Sequence, residues 1–128
     1  MLQFTSLLFF TNAAHAYSRK YMFYALLLVL LTVGSVAWHS SPKLKPESMK
    51  VFWMDQAFIW ASIVMSIFYA SQMQSQIYKN LLYLFALVAL ALSAYLMFGT
   101  SWDREYPTEH AMLHIIACIC DHCVIAGL

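Results

Sequence analysis

The sequence predicts an all-α integral membrane protein, a single transmembrane domain built as a bundle of about five helices over residues 2–17, 21–40, 51–71, 80–99 and 108–127. Three observations lead there. Hydrophobic residues make up 62% of the 128 positions and charged ones only 10%, against about 25% charged in soluble domains. A surface this poor in charge needs lipid as its solvent. The charges also fall in short segments between apolar runs close to the ~20 residues that a bilayer demands of a helix. Finally, glycine and proline number three each, too few for a linker, and no internal repeat divides the chain. A net charge of +1 argues against nucleic acid as a partner.

The first apolar run, 2–17, is short for a span and carries Asn12 and His15 towards its far end. Ala14-His15-Ala16 resembles a signal-peptidase site, but no basic residue precedes the run, so a short or tilted first helix is expected. Ser18-Arg19-Lys20 forms a polar hinge. Residues 21–40 are a strong span that ends in Trp38, His39 and Ser40. Pro42 and Pro46 are too close together for helix, which makes 41–50 a loop. The third span, 51–71, has Asp55 in its first turns. Gln72 to Lys79 reads as a polar turn, 80–99 as an uncharged fourth span, and 99–107 as a loop holding Asp103, Arg104 and Glu105. Thr108 is an N-cap candidate for the last helix, with Glu109 in its first turn. Orientation is undecided by the positive-inside rule, because Lys43, Lys45, Lys50 and Arg104 face Arg19, Lys20 and Lys79 across the membrane.

Following the direction of each helix brings the polar residues together. Helix 2 ends at His39, helix 3 begins just before Asp55 on the same side, and helix 5 begins there again with His110 and His114. Five spans therefore hold all four residues within roughly two turns of one membrane face. His110 and His114 share a helix face at spacing i, i+4, and Ser35 lies one turn below His39. An ionisable side chain inside a membrane helix is a functional hypothesis by default. Three neutral imidazoles with an open fourth position are a catalytic zinc arrangement, and a nearby carboxylate can orient or deprotonate the water that the metal acidifies. The plainer alternative is that Asp55 caps its helix and His39 marks an interface beside Trp38.

The segments Ser35-Val36-Ala37-Trp38-His39, Asp55 and His110-Ala111-Met112-Leu113-His114 resemble the Ser-x-x-x-His, Asp, His-x-x-x-His signature of the CREST superfamily of membrane proteins. That group includes alkaline ceramidases, progestin and adipoQ receptors, and lipid-remodelling proteins acting after GPI attachment. Trp53-Met54-Asp55-Gln56-Ala57 looks like the Asp-bearing third helix of the last branch. The resemblance covers residues 35–60 and 107–118, and the remainder only by hydrophobicity. It implies a zinc ion held by His39, His110 and His114, Asp55 acting on the zinc water, and Ser35 as a close polar neighbour. This chain departs from the family's seven-helix bundle, since one helix rather than three separates Asp55 from the paired histidines. Losing two helices preserves parity, and a homo-oligomer could replace the missing walls.

The expectation is therefore a multi-pass, zinc-dependent hydrolase that cleaves an amide or ester bond in a membrane lipid. The alternatives are a receptor-like or scaffold protein with a structural zinc, and, last, a small b-type cytochrome, since haem normally takes histidines from facing helices. Cys118, Cys120 and Cys123 suggest neither a disulfide framework nor a second metal cluster, because Cys118 and Cys120 point about 200° apart on a helix. Asp121 lies almost three turns beyond His110 on the same stripe, at a depth where His15 could pair with it.

Overall fold

The computed structural model describes residues 2–40, 46–98 and 107–128, all of it helix and short connections. The helices are α1 (Leu2–Ser6), α2 (Phe9–Ser18), α3 (Met22–Ser40), α4 (Pro46–Ala70), α5 (Gln76–Phe98) and α6 (Pro107–Gly127). Among the described residues four stretches are long and apolar enough to cross a bilayer: Met22–Ser40, Ser48–Ala70, Gln76–Leu96 and Thr108–Gly127. The protein is thus an all-α, multi-pass integral membrane protein.

The expected first span is two helices rather than one. Leu7, Leu8, Phe10 and Thr11 each bond back three residues, a 3₁₀ tightening, and the Thr11 hydroxyl takes the Leu8 carbonyl at 2.6 Å. Such hydroxyl back-bonding competes with regular helix and bends it. At 1.5 Å per residue the whole stretch from Leu2 to Ser18 would reach only about 25 Å, against roughly 30 Å of hydrocarbon. It nevertheless packs against both α3 and α6, with Phe4, Phe10 and Tyr17 exposed on its outer face. Buried Ala13 and Ala16 let its backbone come close, as small residues do at membrane helix interfaces.

Helix starts also differ from expectation. Pro46 does not end a loop; it opens α4, a position where its missing N–H costs nothing. Likewise α6 begins at Pro107, which puts Thr108 inside the first turn rather than at the cap. α5 begins at Gln76, inside the expected turn. Ser75 caps it: its carbonyl accepts from Lys79 N–H at 3.1 Å and its hydroxyl from Tyr78 N–H at 3.5 Å. Of the residues expected in the loops 41–50 and 99–107, Pro42, Lys43, Lys45, Asp103, Arg104 and Glu105 lie outside the described residues.

α3 and α6 form the centre. α3 packs on α1, α2 and α4; α6 packs on α5 along its length and touches α1, α2 and α4. Tyr24, Leu28, Val124 and Ile125 fill the space between them. Gly34 allows a close approach of α4, since a Cβ there would sit 3.0 Å from the Phe58 ring and 3.6 Å from Asp55 Cα. α5 is peripheral, with Leu84, Leu87 and Leu90 exposed as lipid-facing residues should be.

Two fixed points establish the directions. At one end Thr5 meets His114; at the other His15 meets His122. The first segment therefore runs parallel to α6, as an even number of reversals requires.

Candidate metal centre

The three predicted histidines come together. His39 is in the last turn of α3, and His110 and His114 lie in the first turns of α6. Their ring centroids form a triangle with sides of 5.0, 5.3 and 4.7 Å. One nitrogen from each ring can be chosen so that all lie within 4.8 Å of one another, a group able to hold a metal ion. Among the described residues no other set of three or more His, Cys, Asp or Glu does so. The i, i+4 spacing stacks His110 and His114, and the packing of α3 on the same bundle delivers the third ring.

His114 is the most enclosed of the three, 8% exposed, while His39 and His110 are half-buried. Its Nδ1 lies 2.9 Å from Thr5 Oγ1, and the edge of the Phe9 ring packs against it at a centroid distance of 5.7 Å. When Nδ1 carries the proton and donates to Thr5, Nε2 is left as the ligand atom. This is the usual dressing of a metal-binding imidazole, whose second nitrogen is held by an outer hydrogen-bond partner.

Ser35 and Asp55 are both buried, at 3% and 2% exposure. Ser35 sits one turn below His39 on α3, and its Oγ is 2.8 Å from Ser6 Oγ. Asp55 is carried by α4 onto α3 at Gly34, directly before Ser35 in sequence. Asp55 thus lies at the α3–α4 contact beside Gly34, while Ser35 meets α1 through Ser6.

Thr5 and Ser6 escaped the sequence reading. Hydroxyl residues are common in membrane helices, where they can satisfy themselves on their own backbone. The signal that could have found them is parity: if the first segment runs parallel to α6, its first turn lies at the histidine end.

A second polar region lies towards the opposite end, and here the expected pairing of His15 with Asp121 is corrected. Asp121 Oδ1 accepts from Tyr24 Oη at 3.0 Å and from Ser66 Oγ at 2.9 Å, which ties α6 to α3 and α4. His15 pairs instead with the next residue, His122, Nδ1 to Nδ1 at 2.8 Å. A single position on α6 turns the side chain by about 100°, enough to aim Asp121 at α3 and α4 and His122 at α2. The three cysteines are unbridged, Cys118 and Cys123 buried between helices.

No family model, curated protein or solved structure matches the chain.

Proposed function

We propose that the protein is a zinc-dependent membrane hydrolase that cleaves an amide or ester bond in a lipid. The observation that carries this reading is the set of three imidazoles with ligand atoms within 4.8 Å of one another, with Ser35 buried one turn below His39 and Asp55 buried on the neighbouring helix α4. The donor set fits zinc, which takes three neutral imidazoles in hydrolytic sites. His39, His110 and His114 would hold it. Bound there, zinc supplies Lewis acidity and a water acidified into a nucleophile at neutral pH.

The remaining chemistry belongs to the chain. Three histidine ligands leave no general base, so a carboxylate has to take the proton. Asp55 is the acidic residue that the α3–α4 packing brings to this end. Ser35, its hydroxyl steadied by Ser6, is suited to hydrogen-bond the oxygen on which negative charge develops. Thr5 orients His114. A lipid substrate follows from access, since a centre inside a membrane bundle is reached from the bilayer. The agreement of Ser35, His39, Asp55, His110 and His114 with the CREST pattern supports the same reading. Haem is disfavoured, because three rings packed at 4.7–5.3 Å leave no slot for a flat macrocycle between them.

Asp55→Asn tests the assignment. The amide keeps the shape but cannot accept the proton, so zinc content should stay near one per chain while turnover of a ceramide or glycerolipid ester falls roughly 10²–10⁴-fold, as for loss of a general base. Zinc retained with unchanged turnover overturns the role of Asp55. A wild-type protein that binds zinc yet hydrolyses none of a broad lipid panel is a structural metal protein instead.

A further inference from the structure

We propose that His15 and His122 form a second metal-binding site, independent of the three-histidine centre, that takes a borderline divalent transition ion of the zinc class and fastens α2 to α6. His122 lies eight residues beyond His114, which places the pair about 12 Å farther along α6. The two imidazoles come from different helices, are half-buried, and lie with ring centroids 5.1 Å apart at an interplanar angle of 31°.

The hydrogen-bond directions around the pair can be assigned. The Thr11 hydroxyl gives its proton to the Leu8 carbonyl at 2.6 Å. With that proton used, Thr11 Oγ1 can only accept at its remaining contacts, Cys118 Sγ at 3.6 Å and His122 Nε2 at 2.9 Å, so His122 Nε2 carries a hydrogen. Neutral His122 therefore has a bare lone pair on Nδ1, and that lone pair points at His15 Nδ1, 2.8 Å away. Without metal the His15 Nδ1 proton fills this gap.

Two features make the gap a metal site. First, His122 already has the outer-shell arrangement of a ligand, with its second N–H donated to an oxygen that is itself fixed. Second, the distance fits: two N–metal bonds of about 2.0–2.1 Å, meeting at an angle between 90° and tetrahedral, set the nitrogens roughly 2.9–3.4 Å apart. An opening of a few tenths of an ångström, with a turn of each ring so that both lone pairs meet at the ion rather than face one another, admits it. The His15 proton then moves from Nδ1 to Nε2 of the same ring, with no net gain or loss of protons. Imidazole nitrogen favours zinc, copper and nickel over magnesium or calcium, and water completes the coordination, since both rings are partly accessible.

The test is a Zn²⁺ titration of the full-length, chelator-stripped protein in detergent against a competing chromophoric chelator, with fold checked by circular dichroism. The site predicts one zinc equivalent that is lost in His15→Gln and in His122→Gln but kept in His110→Ala. The three-histidine centre predicts a separate equivalent with the reverse behaviour, so either reading can fail alone. A stoichiometry unchanged by both glutamine variants would mean a hydrogen-bonded imidazole pair only, and would overturn the site. Should a glutamine variant misfold, Cu²⁺ paramagnetic resonance on the His39→Ala/His114→Ala double variant, which leaves a single imidazole at the other centre, decides: superhyperfine coupling to two imidazole nitrogens is expected, and its absence overturns the site.

Discussion

Thr5 shows what a single hydroxyl can do beside the candidate metal centre. It touches no reacting group, yet at 2.9 Å from His114 Nδ1 it holds the ring of the most enclosed of the three candidate ligands. Losing such an outer partner typically weakens metal binding 10–100-fold. Thr5→Val, which keeps the shape and removes the oxygen, should lower zinc affinity by about that factor, and Thr5→Ser should restore most of it. Competition titration of the three proteins measures this directly; equal affinities would show that His114 needs no support. Ser6 and Ser35 make a matching pair, and together the two contacts tie a segment too short to span to α3 and α6 at this end. The histidines themselves were legible from spacing and chain direction. Their partners were not, because no periodicity states which face of a short, bent helix meets its neighbour.

Each helix stop or start reflects a local device. α2 ends in a Schellman arrangement: Lys20 N–H bonds Tyr17 O, and Tyr21 N–H bonds Ala16 O, each at 2.9 Å. This requires a left-handed residue just past the helix, and Lys20 adopts φ of 68° where glycine is the usual choice. A side chain in that conformation costs about 1–2 kcal/mol. Lys20→Gly should therefore stabilise the protein by about 1 kcal/mol, measured as a raised denaturation midpoint in detergent. No change or a fall would mean that the Lys20 side chain offsets the strain. The tight reversal matters because it returns the chain directly into α3, which carries Ser35 and His39. Prolines 46 and 107 teach the same lesson in the opposite sense. Their residue type permits either a loop or the first turn of a helix, and only the packed helix that follows distinguishes the two.

In the assembled molecule the two ends are chemically distinct. One gathers His39, His110, His114, Thr5, Ser6 and Ser35; the other holds His15, His122, Lys20 and the α4–α5 turn, where Gln74 N–H caps the C-terminus of α6 through Gly127 O at 2.7 Å. Cysteines placed at Lys20 and Gln74 in a cysteine-free background should both label from one membrane face, and one at Ser40 from the other. Labelling of the Ser40 position from the Gln74 side would contradict the chain directions and, with them, the convergence of the histidines. All three positions are exposed, so access does not bias the result. The membrane character, the four long helices and the three metal-ligand candidates follow from the sequence alone, because hydropathy, the i, i+4 repeat and parity are local or directional properties. Which residues satisfy the buried polar groups is a different matter. Thr5 on His114, His122 rather than Asp121 on His15, and Tyr24 with Ser66 on Asp121 depend on helix rotation, where one residue shifts a side chain by about 100°. That rotation is set by side chains packing from several helices at once, and it exists only in the folded bundle.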